Sequence, residues 1–145
     1  MASRTGTCEC GACHFTMTGE PNSTWACHCT ECQTRSGSVC ALTVVAPVES
    51  IAMTGEVTKH AYESGGFDYR CAKCGSSIVG EHPGFPGLSF LRGGLFDDTS
   101  WLRPMAHMWT QSAQPWIQID PRVPTYATQP TDFEELLGLW PQSRA

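Results

Sequence analysis

Lysine is nearly missing from this chain, with Lys59 and Lys73 the only two among nine basic residues, and nowhere do basic side chains run together. A phosphate backbone needs a clustered positive surface, and a net charge of −5 offers none, so nucleic acid is disfavoured as a partner. Long apolar runs are missing as well: no stretch reaches the ~20 residues of a membrane-crossing helix. The opening "MASRTGTCEC" holds no apolar segment of the kind that directs secretion, and Ala rather than Gly stands at position 2, where a myristoyl anchor would need Gly. The expectation is a soluble, cytoplasmic protein. Charged residues are also few, at 16%, while hydrophobic ones reach 41%, a globular balance rather than a disordered one.

At 145 residues the chain is long enough for one domain with a buried core, and a single domain over 1–145 is expected. The 14 Gly and 10 Pro are spread along it, which suits short strands joined by tight turns. Strands are expected over 5–17 with an interruption at Gly11, over 24–29, and over the Val-rich 38–51. Shorter ones fit 57–62, 67–71, 76–80, 88–95, 105–110 and 115–119. One helical turn is expected over 30–37, stopped by Gly37, and another over "DDTSW" at 97–101, capped by Asp97 and Asp98. Thr131 with Glu134 spells a capping box and Gly138 a stop, predicting a short helix that turns Phe133, Leu136 and Leu137 inward. The fold class is mainly β, with short helices.

Nine cysteines are the chain's most unusual content. An odd count without a secretory leader fits a disulfide framework poorly, and metal ligation is the better reading. The spacing Cys-x-Cys-x-x-Cys occurs twice, at Cys8, Cys10 and Cys13 and again at Cys27, Cys29 and Cys32. A third cluster, "CAKCG", places Cys71 and Cys74 ahead of Gly75, the form of a zinc knuckle. A knuckle gives two of the four ligands that a structural zinc wants. Cys8 and Cys10 are suited to complete it, since residues i and i+2 of a strand share a face. Cys27, Cys29 and Cys32 would then hold a second zinc with one position open, the mark of a catalytic site. Spacing alone also permits Cys27 and Cys29 to join the knuckle. Cys13 and Cys40 suit packed thiols, though either could close the second site and leave an inert interaction module.

Taken together, "CECGACHFTMTGEP", "CHCTECQTRSGS", "YRCAKCGSS" and "HMWTQSAQPWIQID" resemble the glutathione-dependent formaldehyde-activating enzyme family, whose domain also occurs in centromere protein V. The resemblance runs over nearly the whole chain. It implies a fold of several coiled β-sheets around zinc, shared with methionine sulfoxide reductase B. It implies a structural zinc on Cys8, Cys10, Cys71 and Cys74, and a catalytic zinc on Cys27, Cys29 and Cys32. It also implies a carbon–sulfur lyase that joins formaldehyde, or another small electrophile, to the thiol of glutathione or a related thiol. For an anionic thiol of that kind Arg35, Ser36 and Gly37 are the candidate rim, and His107 the candidate proton shuttle. His28, between two ligands, suits a supporting or core role.

Overall fold

The computed structural model describes residues 2–140. Eleven strands and two short helices occur among them, and the protein is mainly β. The first half runs β1 (Ser3–Thr7), β2 (His14–Thr18), β3 (Ser23–Cys27), α1 (Thr30–Ser36), β4 (Ala41–Pro47), β5 (Ile51–Thr54) and β6 (Val57–Ala61). The second half runs β7 (Phe67–Cys71), β8 (Ser77–Glu81), β9 (Leu88–Arg92), β10 (Ala106–Met108), β11 (Thr125–Tyr126) and α2 (Phe133–Leu137). No helix among the described residues is long and apolar enough to cross a membrane.

The chain divides into two compact units, one from Met1–Pro21 and Val44–Trp101, the other from Asn22–Thr43 and Leu102–Ala145. In the first, β2 pairs antiparallel with β1 on one side and β5 on the other. Alternation decides which side chains enter: Phe15 and Met17 are buried while their neighbours in β2 are not. The Phe15 ring meets Phe96 edge-on at 5.0 Å, and Val44, Val45, Ile78 and Leu91 complete this core. Strands β6, β7, β8 and β9 pair antiparallel in sequence order, with an irregularity between Tyr69 and Arg70.

In the second unit β10 lies between β3 and β11 and pairs parallel with both. A parallel strand covered on both faces is buried along its length, and all five residues of β3 are. Trp25 packs edge-on against Phe133 of α2 at 5.9 Å, over a core that includes Met105, Met108, Leu136 and Trp140.

Several expectations need correction. Residues 5–17 form two strands, because the loop at 8–13 folds back on itself: the Cys8 amide donates to the Cys13 carbonyl at 3.1 Å and Gly11 takes φ +83. The Val-rich run enters its strand only at Ala41 and leaves it at Pro47 through a 3-10 turn at Val48–Ser50. No helix forms at 97–101, where Asp98 instead accepts from the Ser100 amide. Residues 115–119 are a turn and an irregular stretch, because Pro115 starts a turn that the Ile117 amide closes onto the Gln114 carbonyl. Asp132, not Thr131, caps α2 by accepting from the Glu135 amide, and Leu136 is buried with Phe133 and Leu137 half-buried.

Candidate metal centres

The first centre joins two hairpin loops of one unit. Cys8 and Cys10 lie on the β1–β2 loop rather than along a strand, so their convergence comes from the loop's curl and not from strand periodicity. Cys71 ends β7 and Cys74 sits in the turn before β8, closed by the Gly75 amide onto the Cys71 carbonyl at 2.9 Å. Gly75 takes φ +80, a conformation that side-chain-bearing residues avoid. The four sulfurs lie within 4.8 Å of one another. The Cys10 Sγ stands 3.6 Å from Cys8 Sγ and 3.7 Å from Cys71 Sγ. Tetrahedral thiolates at about 2.3 Å from zinc would be separated by about 3.8 Å, so the donor set fits that ion.

Amides and a hydroxyl in the two loops reach these sulfurs and favour thiolate at Cys71 and Cys74. At Cys10 a backbone bond at Ala12 is outweighed by burial and the neighbouring sulfurs, which push the thiol up to about 11. The Cys13 amide donates to Cys8 Sγ at 3.3 Å, and the Cys74 amide to Cys71 Sγ at 3.5 Å. The Ser76 hydroxyl lies 3.2 Å from Cys74 Sγ, and hydrogen bonding from Ser76 brings that thiol down to about 5. Cys13 itself is fully buried and its thiol donates to the Glu56 carbonyl at 3.4 Å. Burial pushes it up to about 12, so it stays a neutral thiol. Gly55, at φ +103, makes room for it: a Cβ there would stand 2.8 Å from its sulfur.

The second centre is built from one short stretch. Cys27 ends β3, Cys29 is the N-cap of α1, and Cys32 lies in that helix's first turn. The Cys29 sulfur accepts from the Cys32 amide at 3.3 Å, doing for a helix start what a Ser or Asp oxygen does elsewhere. These three sulfurs also lie within 4.8 Å of one another, with Cys27 buried and Cys29 and Cys32 half-buried. A hydrogen bond with Cys32 and burial raise the Cys27 thiol, and burial raises Cys29, so a metal has to displace protons here. Cys40 is half-buried and belongs to neither group, and burial raises its thiol as well. Among the described residues the second group therefore supplies three donors, which fits a zinc that keeps a position for an outside ligand.

His28 follows Cys27 out of the strand, and its amide donates to the Met108 carbonyl at 2.9 Å. Its ring is fully buried, stacked on His107, with His28 Nε2 and His107 Nδ1 2.9 Å apart. One proton sits between those nitrogens, and burial lowers both rings' affinity for a second, leaving them neutral. His28 Nδ1 has no hydrogen-bond partner among the described residues. The other candidate residues fall at the far end of α1. Arg35 is exposed in its last turn, Gly37 is the left-handed C-cap at φ +67, and the Ser36 hydroxyl contacts the Cys40 carbonyl at 3.3 Å.

Sequence reasoning missed Gln33. Its Nε2 donates to the carbonyls of His28 at 2.8 Å and Ser112 at 3.1 Å, and its Oε1 accepts from Gln114 Nε2 at 3.0 Å. It missed Asp68 too, a buried carboxylate on β7 that accepts from Ser77 and Tyr62 at 2.6 Å each and pairs with Arg70 at 3.2 Å. Nothing in a lone glutamine or aspartate announces such roles.

A model of the glutathione-dependent formaldehyde-activating enzyme family matches residues 3–112. No curated protein matches the chain. Among solved structures, a Rhodobacter sphaeroides protein from a structural genomics programme superposes with a TM-score of 0.54 at 16% identity. The superposition covers 83% of this chain and 98% of that one, a likeness of fold.

Proposed function

Because the chain belongs to the glutathione-dependent formaldehyde-activating enzyme family, we propose that it is a zinc-dependent carbon–sulfur lyase. It adds a small electrophile such as formaldehyde to the thiol of glutathione or a related thiol, or removes it. The observation that carries this reading is the inequality of the two cysteine groups, four donors in one and three in the other. Zinc held by three thiolates has a fourth position for an incoming thiol and keeps its sulfur deprotonated at neutral pH.

The chain's own residues supply the rest. Cys27 walls the site from the protein side, while half-buried Cys29 and Cys32 leave it reachable from solvent. Arg35 follows Cys32 by three positions on α1, which places the two on neighbouring turns of one face and offers a cation to an anionic thiol. In the forward reaction the thiol sulfur attacks the carbonyl carbon, the carbon–sulfur bond forms, and the carbonyl oxygen takes up a proton. His107, whose Nδ1 is already engaged by His28 Nε2 at 2.9 Å, is our candidate to relay the proton that the thiol gives up to that oxygen, and to return it in the reverse direction. The nine thiols suit a reducing, cytoplasmic setting.

Metal analysis and a cobalt spectrum with and without glutathione test this. Two metals per chain, with one site's spectrum changed by glutathione, are expected. Two metals that both ignore glutathione would instead make this a zinc-bound interaction module with both centres closed, and a single metal per chain would overturn the two-centre reading.

A further inference from the structure

Trp116 keeps 68% of its surface exposed, and Val48 is the other large hydrophobic side chain in that condition among the described residues. A single exposed apolar residue is ordinary in itself. The setting of this one is not. Pro115 and Trp116 are the two central residues of the turn that the Ile117 amide closes onto the Gln114 carbonyl at 3.0 Å. Proline at the first of these positions presets the turn's φ, so the indole stands at the tip of a stiff turn rather than a loose loop.

The base of that turn is fastened to the three-cysteine centre. Gln114 donates to Gln33 at 3.0 Å, and Gln33, which follows Cys32, also grips the Ser112 carbonyl at 3.1 Å. The third bond of Gln33 goes to the carbonyl of His28, between Cys27 and Cys29, at 2.8 Å. The other end of the segment is fixed as well. Trp109 leaves β10 with φ 58 and ψ 40, the left-handed region that aromatic residues rarely enter. Its amide donates to the Thr128 carbonyl at 3.2 Å and its indole nitrogen to Gln129 at 2.9 Å. Two residues of chain reach at most about 7 Å, so the Trp116 backbone stays within that span of the Gln114 backbone, whose side chain bonds the residue next to Cys32.

We propose that Trp116 is a specificity-determining residue of the three-cysteine centre: its indole face receives the organic body of a thiol whose sulfur lies at the open position. The assignment rests on the open-site reading above and extends it. The site would then prefer thiols with a broad, partly apolar or amide-bearing body over bare small ones, since an indole face packs on such groups whatever their charge. Backbone strain at Trp109 and the clasp of Gln33 preorganise the wall before the ligand arrives.

The test uses the full chain loaded with cobalt, whose absorption reads sulfur binding at the metal independently of turnover. Wild type, Trp116→Ala and Trp116→Phe are titrated with glutathione and with 2-mercaptoethanol, and the ratio of the two affinities is the readout. Trp116→Ala is expected to lower the preference for glutathione on the order of tenfold, and Trp116→Phe by less, since a smaller ring restores part of the surface. An unchanged ratio in Trp116→Ala, whether affinities stay or fall together, overturns the assignment and leaves the open-site reading intact. A wild-type spectrum that responds to neither thiol overturns both.

Discussion

The same six-residue spacing is used for opposite ends in the two copies of Cys-x-Cys-x-x-Cys. In the first, the strand ends at Thr7 and the motif curls into a hairpin loop; the third cysteine turns its thiol to the Glu56 carbonyl and lends only its amide to Cys8 Sγ. In the second, the motif runs from strand into helix, and the first helical turn swings Cys32 back among the sulfurs of Cys27 and Cys29. The backbone following the middle cysteine thus decides whether a copy contributes two donors or three. The first copy needs Cys71 and Cys74 from 61 or more residues away to complete its set, as the Cys10–Cys71 separation in sequence records. The second is complete within one stretch and stops at three. The lesson is that ligand count follows local conformation, not motif.

The largest test of this contrast is Cys74→Ser. Zinc in closed sites of this kind contributes about 10–16 kcal/mol to the folding of small peptides, more than most domains' whole stability of about 5–15 kcal/mol. The variant should therefore accumulate as unfolded or aggregated protein, read from soluble yield and a thermal melt. Unchanged solubility and melting would contradict the structural role of the first centre. Cys32→Ser should behave differently. Far-UV circular dichroism should show the native fold, metal content should drop from two to one per chain, and the cobalt response to glutathione should vanish. Should Cys32→Ser keep both metals, the three-donor count is wrong.

A subtler handle lies beside the first centre, at Asp68, three residues before Cys71 on β7. Burial alone would raise this carboxyl, yet the hydroxyls of Ser77 and Tyr62 and the Arg70 guanidinium together hold it below the usual carboxylate range. A depressed folded value means stability that is fully present above the ordinary carboxylate range and lost as pH falls through the folded value. Asp68→Asn should cost about 3 kcal/mol at neutral pH, measured by denaturant titration, because Arg70 loses its charge partner. The gap between the two proteins should narrow below the usual pKa of ~3.9. A gap that stays constant to pH 3 would mean the carboxylate's charge is not what matters.

The part of this that was legible from sequence was the part where chemistry restricts residue choice. Thiols are such particular ligands that counting them pointed to metal, while the family resemblance, not the count, assigned the two groups. Gly37 marked the end of α1 because the left-handed cap favours glycine. Legibility failed where one residue's shift changes the answer. Asp132 and Thr131 are both good caps, and only the packing of Phe133 on Trp25 and the burial of Leu136 select the register. A short strand is expected over 115–119, but Pro115 diverts these residues into a turn. Gln33 was invisible because two of its three partners, Ser112 and Gln114, lie 79 and 81 positions away.

Cys13→Ala is the smallest perturbation and bears most directly on why the two copies differ. The substitution removes a fully buried sulfur and its bond to the Glu56 carbonyl, a loss of about 1 kcal/mol for one packed atom and one neutral hydrogen bond. It keeps the backbone amide, and so keeps the donor that Cys13 gives to Cys8 Sγ. Metal content should therefore stay at two per chain, with the melting temperature lowered by only a few degrees. The matching change in the second copy, at Cys32, removes a ligand and its metal together. If Cys13→Ala also sheds a metal, the third cysteine ligates in both copies. The hairpin loop and the helix start would then be two routes to one function rather than the cause of two.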